Sequence, residues 1–477
     1  MRLKRKYLLI FLVFLSLFAL VSCGGDDEEY EGNGEIYVDK KWDIYPTTHD
    51  FTKPVEINFW SANSAVDIHG STMADMVEMF NEYQRKTYPD SYIKVNPSFQ
   101  GGYIVQNTKL QAAIPAGTNP ELAMVGVSSF SIYVDNVIDQ RQIFTYDQIR
   151  DIYEGFLQFA MYRNKFVAYP YFAATNLLVV NRTMMEATGM HVPTPDEILA
   201  DRENSIWTWD YAKQLWKAAS KPEEGIYGLA SGGPALYEAY YTQGVPIYNE
   251  TATEQYINNE YGKRAFEYWR SLVVEGCMLN PVLDPNHGTK IQGAFSTGTV
   301  GMYFASSSSL KTIFENVYEN QVASGNEPLF ELDVLPHPRN PYFYSNQSGG
   351  GIIVFNNKSD VKIRAAVEFL RWLQAPEQSA YYSTRTGYLA TTRSATQTKT
   401  WTDYAQINPL LDRAISLMVL TPVNGLKIPI GRAKALADDD FSKYIKGIYY
   451  DDCTRNIDEV LRECAERVAY ILESNSW

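Results

Sequence analysis

The sequence has few of the residues that bind metals or cross-link a chain. Its 477 residues include only five histidines and four cysteines. The histidines are scattered, and neither an HExxH nor a CxxC motif is present. Because structural and catalytic metal sites depend on such spacings, the sequence predicts no metal site and no cofactor.

A basic surface is also missing. Lysine and arginine total 42 residues against 56 aspartates and glutamates, which gives a net charge of −14. Nucleic acids are bound by clusters of Lys and Arg that neutralise phosphates, so we expect no nucleic-acid partner. Hydrophobic residues make up 45% of the chain, too much for a disordered protein, and the length suggests two or three domains.

Aromatic residues are abundant, with 35 Tyr, 22 Phe and 9 Trp. Tyr and Trp combine a flat apolar face with a polar edge, which suits a sugar ring. The alternative is that these tyrosines lie in half-buried sheets, and composition leaves both interpretations open.

The first 22 residues have the layout of a secretory signal peptide. Basic residues at positions 2 and 4–6 precede an almost unbroken apolar run at 7–21, which is shorter than the about 20 residues of a membrane-spanning helix. The run ends in Leu20-Val21-Ser22-Cys23, which resembles the lipobox of bacterial lipoproteins. We therefore expect residues 1–22 to be a lipoprotein signal peptide and Cys23 to carry a lipid that holds the protein on the extracytoplasmic side of the membrane. An uncleaved anchor helix is the alternative.

Residues 23–50 are acidic, contain glycine and lack a helical period, so they predict a flexible tether. Three cysteines remain after it. On one helix Cys453 and Cys464 would lie about 16 Å apart, beyond the about 7 Å between Cα atoms that a disulfide allows. We expect Cys277, Cys453 and Cys464 to be inert core thiols.

Strands and helices alternate along the rest of the chain. Periodicity predicts strands at 55–60, 93–95, 122–127, 166–172, 177–180, 300–305, 332–335 and 352–355. Predicted helices include one capped by Ser71, Tyr103–Ala113, Trp209–Ala219 capped by Thr208, 261–274, 361–373 and 457–472. This alternation is typical of a mostly parallel sheet flanked by helices.

Several segments occur in an order that is typical of one family. They are Ala116-Gly117-Thr118-Asn119-Pro120, Leu178-Val179-Val180-Asn181, Ile206-Trp207-Thr208-Trp209, Phe295-Ser296-Thr297-Gly298, Gly301-Met302 and Thr386-Gly387-Tyr388-Leu389. Together they resemble the family 1 extracellular solute-binding proteins of ABC importers, which include maltose-binding and glycerol-3-phosphate-binding proteins. The resemblance covers roughly residues 55–468.

That resemblance implies a two-lobed α/β fold of the periplasmic-binding-protein type (type II-like). Each lobe is expected to be a mostly parallel sheet flanked by helices, with crossover hinge strands between them. The expected N-terminal lobe comprises residues 51–173 and 336–388, and the C-terminal lobe 174–335 and 389–477. The resemblance further implies a monomer that delivers a small solute to ABC permease subunits and catalyses no reaction.

Within the family, the glycerol-3-phosphate-binding branch is the most similar. The shared segments are Gln100-Gly101-Gly102-Tyr103, Ala305-Ser306-Ser307-Ser308-Ser309-Leu310, Gly349-Gly350, Thr386-Gly387-Tyr388-Leu389 and Gly425-Leu426-Lys427. Carried over position by position, they imply ligand contacts at Tyr103, Ser306, Gly349 or Gly350, and Tyr388.

The chain also departs from that branch. Val127, Ala174 and Gly233 stand where the branch has a glycerol-binding Glu, a Ser and an indole. The basic residue that a phosphate needs falls at Arg432 or Lys434. Because a buried phosphate without a fixed cation is costly, a neutral mono- or oligosaccharide is favoured over glycerol 3-phosphate or another polyol phosphate.

Residue chemistry adds candidates to this site. Ligands of α/β proteins bind beyond the carboxyl ends of strands. Residues that follow apolar runs in that way are Trp60, Ser128, Ser231 and Ser306, although such a serine often only caps the next helix. Aromatic faces and hydroxyl groups are what a sugar requires. The predicted ligand site is Trp60, Tyr103, Ser128, Tyr171, Ser231, Tyr303, Ser306, Gly349, Gly350, Tyr388 and Arg432.

Two enzyme classes remain as alternatives. A secreted glycoside hydrolase needs two carboxylates about 5–10 Å apart. Glu238, Asp284 and Glu368 are available, but nothing in the sequence marks a pair. A serine hydrolase needs a G-x-S-x-G turn, and the segment from Gly126 to Phe130 departs from it at the last position.

Overall fold

The structure is a computed structural model that describes residues 44–231, 236–279, 287–420, 433–449 and 453–474. The predicted signal peptide, Cys23, Gly233, Asp284 and Arg432 lie outside the described residues. Within these five ranges, no helix combines the length and the apolar composition that crossing a membrane requires.

The described residues alternate between strands and helices. The strands are β1 Val55–Ser61, β2 Ile93–Phe99, β3 Leu122–Gly126, β4 Met161–Tyr162, β5 Lys165–Phe166, β6 Tyr169–Asn181, β7 Tyr227–Ser231, β8 Met278–Leu279, β9 Val300–Ser306, β10 Leu332–Leu335 and β11 Gln347–Val354. The helices of the first half are α1 Ile68–Thr87, α2 Tyr103–Ala113, α3 Phe130–Tyr133, α4 Tyr146–Asp151, α5 Glu154–Ala160, α6 Arg182–Glu186, α7 Pro195–Ala200, α8 Trp209–Ala219, α9 Leu236–Tyr241 and α10 Glu260–Val274. Those of the second half are α11 His287–Ser296, α12 Leu310–Phe314, α13 Asn320–Ala323, α14 Asp360–Gln374, α15 Pro376–Thr386, α16 Arg393–Thr396, α17 Lys399–Ile407, α18 Leu410–Leu417, α19 Lys434–Tyr449 and α20 Ile457–Ser474.

Nine strands form one mixed sheet in the order β2-β1-β3-β11-β6-β9-β7-β8, with β10 also paired to β6. The outer strands are parallel: β1 pairs with β2 and β3, and β7 pairs with β8 and β9. The central pairs, β3-β11, β11-β6, β6-β9 and β6-β10, are antiparallel. The predicted parallel arrangement therefore holds at the two ends of the sheet, and the crossover strands make its centre antiparallel.

Strand β6 carries the chain from one lobe to the other. Residues 169–175 pair with β11, whereas 176–181 pair with β9 and β10. The sequence predicted two strands here because polar Thr175 and Asn176 interrupt the apolar pattern. The backbone remains extended because its amides find other partners: Thr175 N donates to Ser307 Oγ at 3.1 Å, and Asn176 N donates to the Asn346 carbonyl at 3.0 Å.

Each half of the sheet is covered by helices whose apolar faces were predicted from the sequence. In the first lobe, Phe369 of α14 packs between Phe59 of β1 and Phe80 of α1, with ring centroids 6.0 and 5.0 Å apart. In the second lobe, α8 lies against β7 so closely that a β-carbon at Gly228 would be 2.1 Å from the Trp216 carbonyl. Thr208 caps α8, as predicted, by accepting a hydrogen bond from Tyr211 N at 3.3 Å.

Helix α1 begins earlier than predicted. Asp67, rather than Ser71, is its N-cap, and Asp67 Oδ1 accepts a hydrogen bond from Gly70 N at 2.8 Å. The second carboxylate oxygen accepts one from Ser64 N at 2.9 Å, so Asp67 also fixes the loop that leads into the helix. Aspartate is among the best N-cap residues because it pairs with otherwise unbonded amides of the first turn.

The packed part of the first lobe also begins before residue 51. Tyr45 N donates to the Gln142 carbonyl at 2.8 Å, and Arg371 donates to the Tyr45 and Pro46 carbonyls at 2.7 Å each. The ring of His49 stacks on Tyr88 at 3.6 Å. Residues 45–50 of the predicted tether therefore contact the domain.

Two of the three remaining cysteines are core residues. Cys277 and Cys464 are buried, and burial raises the pKa of both thiols. Cys453 lies at a partly exposed position ahead of α20, so the expectation of a core thiol is wrong for it.

Candidate functional site

A cleft of about 360 Å³ lies where β3, β6, β9 and β11 meet. The strand register brings its floor together: Ala174 of β6 pairs with Ser348 of β11, and Gly126 of β3 pairs with Gly350. The lining residues are Tyr103, Ile104, Asn107, Gly126, Val127, Ser128, Ser129, Ala174, Ser306, Ser308, Ser348, Gly349 and Tyr388. They come from both lobes and from the strands that cross between them.

Five of the predicted ligand residues lie together in this cleft: Tyr103, Ser128, Ser306, Gly349 and Tyr388. Val127 and Ala174, which stand where the glycerol-3-phosphate branch has polar residues, line it as well. The positions implied by the family resemblance are therefore adjacent in space, although Tyr103 and Tyr388 are 285 residues apart in the sequence.

Tyr103 is the first residue of α2 and forms one wall. Gly102 is the N-cap of that helix, and the ring of Tyr103 lies over the end of β3, where a β-carbon at Gly126 would be 3.5 Å from its Cδ1 atom. The Tyr103 hydroxyl is buried and interacts with the Tyr388 hydroxyl. Burial raises the pKa of Tyr103 well above its usual value, and the neighbouring Tyr388 raises it further. At neutral pH this phenol is an intact hydrogen-bond donor.

Tyr388 forms the adjoining wall and is held on three sides. Its ring stacks on Tyr382 with centroids 6.1 Å apart, and it meets the rings of Phe172 and His69 edge-on at 5.9 and 4.9 Å. The next residue, Leu389, donates its amide hydrogen to the Ala173 carbonyl at 2.9 Å, which ties this segment to β6. Burial raises the pKa of Tyr388.

Serine hydroxyls from the second lobe face these rings. Ser306 ends β9, and the 3₁₀ turn Ser307–Ser309 follows. The Ser306 and Ser308 hydroxyls share a hydrogen bond of 3.0 Å and both line the cleft, while buried Ser307 binds the Thr175 amide. The Ser306 hydroxyl also accepts a hydrogen bond from Ser308 N at 3.4 Å. Ser306 therefore both caps the following turn and lines the cleft.

The first lobe contributes a second group of polar side chains at the end of β3. Asn107 donates to Ser129 Oγ at 2.6 Å and accepts from the Tyr133 hydroxyl at 2.9 Å. Asn107 lines the cleft but is not among the predicted site residues. It follows Tyr103 by one helical turn and so lies on the same face of α2, which is the signal that would have found it.

Five other predicted residues lie elsewhere, for reasons of strand geometry. Successive side chains of a strand point to opposite faces. Ala174 of β6 faces the cleft, so Tyr171 faces away, and its hydroxyl contacts Met76 Sδ at 3.8 Å. Ser306 of β9 faces the cleft, so Tyr303 faces away and packs on Phe295 with centroids 4.9 Å apart.

The remaining three lie beyond the lining of the cleft. Gly350 pairs with Gly126, and a β-carbon there would be 2.1 Å from the Val125 carbonyl, so its role is close strand contact. Ser231 is buried at the end of β7, and Trp60 is half-buried on β1.

The described residues that line the cleft include no charged side chain. Lys434, a candidate for a phosphate-binding cation, is buried and donates to Asp438 Oδ2 at 2.8 Å, with its ammonium 4.7 Å from the centre of the Tyr237 ring. Asp438 also accepts hydrogen bonds from the Tyr237 and Tyr248 hydroxyls at 3.0 Å. The charge of Lys434 is therefore compensated within the second lobe.

Of the candidate hydrolase carboxylates, the two that the structure describes, Glu238 and Glu368, do not line the cleft either. Glu238 is buried beside His337 at 3.7 Å, next to a separate closed space of about 10 Å³. Glu368 of α14 contacts His49 at 3.0 Å and Gln84 at 2.7 Å on the outer side of the first lobe.

Two lobes joined by crossing strands, with a polar uncharged cleft at the crossing, define a ligand-binding protein of the periplasmic-binding-protein type. Residues 75–409 match the model of the bacterial extracellular solute-binding protein family, and the chain belongs to that family. No curated protein sequence matches the chain.

Solved structures share this fold at low sequence identity. The cyclic alpha-maltosyl-1,6-maltose binding protein from Arthrobacter globiformis is 20% identical, with a TM-score of 0.66 over 88% of this chain and 100% of that one. MalE3 of T. maritima, in its maltose-bound form, is 16% identical, with a TM-score of 0.66 over 87% and 100% of the two chains. UgpB from Mycobacterium tuberculosis, in complex with glycerophosphocholine, is 16% identical, with a TM-score of 0.66 over 88% and 98%.

Proposed function

We propose that this chain captures a neutral carbohydrate between its two lobes and delivers it to the permease of an ABC importer. The observation that carries the proposal is the chemistry of the cleft: two tyrosine rings, five serine hydroxyls and no charged group among the described lining residues. The rings suit the apolar faces of a sugar. The hydroxyls and backbone groups suit its rim, where each buried hydroxyl left without a partner costs about 1–3 kcal/mol.

Proteins of the same fold give the proposal a chemical context. Two of the three structures described above bind glucose oligomers, a cyclic maltosyl-maltose and maltose. The volume of about 360 Å³ is within the range of small-molecule sites, about 300–1,000 Å³. Both observations favour a mono- or oligosaccharide.

A phosphate-containing ligand is the second candidate, because UgpB binds glycerophosphocholine. Phosphate recognition relies on charge-assisted hydrogen bonds from arginine or lysine. Since the described lining has no such side chain and Lys434 is paired with Asp438, we rank this candidate below a neutral sugar.

We propose that the protein binds its ligand without catalysing a reaction. No carboxylate lies among the described lining residues, and hydrolysis of a glycoside needs two. We infer that the lobes, 51–173 with 336–388 and 174–335 with 389–477, close about the crossing strands when the ligand binds. We group residues 45–50 with the first lobe, which they contact.

The same proposal covers the location of the protein. We infer that the signal peptide is removed before Cys23 and that a lipid on Cys23 anchors a monomer on the extracytoplasmic side of the membrane. This position is where a solute-binding subunit meets its permease.

The test is a binding screen on the purified domain by thermal shift and isothermal titration, with neutral saccharides, glycerol 3-phosphate and glycerophosphocholine. A ligand at 100 times its Kd should stabilise the protein by about 2.7 kcal/mol. We expect micromolar or tighter binding of a saccharide, about −8 kcal/mol, with the saccharide recovered unchanged. Binding of the phosphates alone, or release of sugar products, would contradict the proposal.

A further inference from the structure

A polar cluster lies behind Tyr388 on the side of α1. The ring of His69 meets the Tyr388 ring edge-on, with centroids 4.9 Å apart and an interplanar angle of 64°. His69 Nδ1 lies 3.6 Å from Asp67 Oδ1. Neither His69 nor Asp67 is among the predicted site residues, and neither lines the cleft.

Asp67 is held rigidly, so the position of His69 is well defined. Its two carboxylate oxygens accept hydrogen bonds from Gly70 N at 2.8 Å and Ser64 N at 2.9 Å. Gly70 lies so close to the preceding loop that a β-carbon there would be 2.0 Å from the Ser64 carbonyl. The first turn of α1 and its entry loop therefore form one packed unit that carries the imidazole.

Three side chains with buried polar atoms surround Tyr388: Asn63 and Tyr103 interact with the Tyr388 hydroxyl, and His69 interacts with Asp67 and with the backbone of Thr386. Buried polar groups are usually paired, because each one left unpaired is costly. Their concentration at one ring indicates that polar contacts, as well as packing, set the orientation of Tyr388.

We propose that His69, oriented by Asp67, is a positioning residue that holds Tyr388 in its ligand-contacting orientation and makes ligand affinity sensitive to pH. The affinity part of this inference rests on the proposed function. The contact between His69 and Tyr388 does not, and it has a readout that requires no ligand.

The direction of the pH effect follows from the surroundings of His69. Among the described residues, the titratable groups in contact with His69 are Asp67 and Tyr388. Tyr103 of α2 and Tyr382 of α15 interact with Asp67. The Arg385–Asp75 ion pair of 3.9 Å joins α1 and α15 farther along. Burial lowers the pKa of His69, and Asp67 only partly opposes that effect, so the imidazole is neutral at neutral pH. Protonation turns the contact with Asp67 into an ion pair and draws the ring away from Tyr388. Affinity should therefore fall as the pH drops through this lowered pKa.

The first experiment follows the Tyr388 ring by NMR in ligand-free protein that carries ¹³C-labelled tyrosine, with the signal assigned by its loss in Tyr388→Phe. The signal should shift with pH, with a midpoint below about 6.5, the ordinary value for histidine. The shift should vanish in His69→Gln and persist in His191→Gln, which changes an exposed histidine of the second lobe. If the Tyr388 signal has the same pH dependence in His69→Gln as in the wild type, the proposal is overturned, whatever the protein binds.

The second experiment measures the Kd for maltose, or for the saccharide that the binding screen identifies, at pH 7.5. His69→Ala should raise the Kd about fivefold. This is a smaller loss than the tenfold change in Kd that corresponds to 1.4 kcal/mol. His69→Phe, which restores a ring, should bind within about twofold of the wild type and lose the pH dependence. In a Tyr388→Ala background, His69→Ala should have no further effect, because both changes act on one contact.

The two arms separate the possible failures. If no saccharide binds but the Tyr388 signal titrates with His69, the proposed function fails and the contact between the two rings stands. If the wild type binds a saccharide and the His69 variants bind it equally well, the positioning role is refuted and the proposed function stands.

Discussion

The carbonyl oxygen of Phe172 lies 1.8 Å from the position that a β-carbon would occupy at Gly349. Gly349 has φ of +92°, and its neighbour Ser348 lines the cleft. Strands β6 and β11 therefore approach closely at the point where both cross between the lobes. Only glycine combines this backbone conformation with so close a contact.

Gly349→Ala is expected to destabilise the protein, because the added methyl overlaps the Phe172 carbonyl and the residue must keep a positive φ. We expect a loss of about 3 kcal/mol in the free energy of unfolding, measured in denaturant, together with weaker ligand binding. Gly293→Ala is the matched control, since a β-carbon there meets nothing within 4 Å in helix α11. Equal stability of the two variants would show that the strands separate freely at Gly349.

Tyr388→Ala should reduce ligand affinity by at least about tenfold, because it removes one aromatic wall of the cleft. The lobes themselves should remain folded, since Tyr388 lies at the cleft and not beneath the sheet. Isothermal titration gives the affinity, and circular dichroism checks the fold. Tyr470→Ala, at an exposed position on α20, is the control and should bind like the wild type. Unchanged affinity in Tyr388→Ala would remove this residue from the site.

Asp333→Ala should destabilise the second lobe and leave the intrinsic affinity unchanged. Buried Asp333 binds Arg182 Nη1 and Arg413 Nη1, both at 2.7 Å, and Arg182 is buried with it. Without Asp333, buried Arg182 keeps only the exposed Glu186, at 3.0 Å, as an acidic partner. Loss of one member of a buried ion pair costs about 3–5 kcal/mol.

The control for Asp333 is Asp403→Ala. Asp403 forms an exposed ion pair with Lys399, and such pairs contribute about 0–1 kcal/mol. Thermal unfolding should separate the two variants clearly. A loss at Asp333 no larger than the loss at Asp403 would mean that the buried network contributes little.

Cys23→Ser is expected to release the protein from the membrane, because it removes the residue proposed to carry the acyl chains that stable anchoring requires. Fractionation of cells that express the full chain, followed by immunoblotting, measures the distribution. Cys277→Ser is the matched control, since Cys277 is buried in the domain and has no access to a lipid-transferring enzyme. Retention of the Cys23 variant in the membrane fraction would support the alternative of an uncleaved anchor helix.

Local patterns in the sequence located most of the elements. Helices α2 and α8 have the predicted boundaries, because Gly102 and Thr208 mark their first turns and their apolar residues recur at helical spacing. Helix α1 was placed four residues late, since Ser71 and Asp67 are both good caps, and it is Asp67 that accepts hydrogen bonds from the amides of Ser64 and Gly70, each three residues away.

Five of the predicted site residues line the cleft, and strand direction explains why two others do not. Tyr171 and Tyr303 were chosen for residue type at strand positions, but each lies on the face of its strand opposite to the cleft. Asn107 and Ser348 were missed, although each neighbours a predicted residue in space. Residue type indicates what a side chain is able to bind, whereas its direction depends on how the strands pair.

The order of motifs in the sequence determined the family, and periodicity determined the alternation of strands and helices. The sequence also predicted Tyr103, Ser306 and Tyr388 as site residues, and all three line the cleft. These signals are local or carried by short segments. Only the tertiary structure decided that β6 runs unbroken between the lobes and which face of each strand forms the cleft. It also placed His69 behind Tyr388. These relationships join residues hundreds of positions apart, and they are fixed by strand register and close packing, which no local pattern encodes.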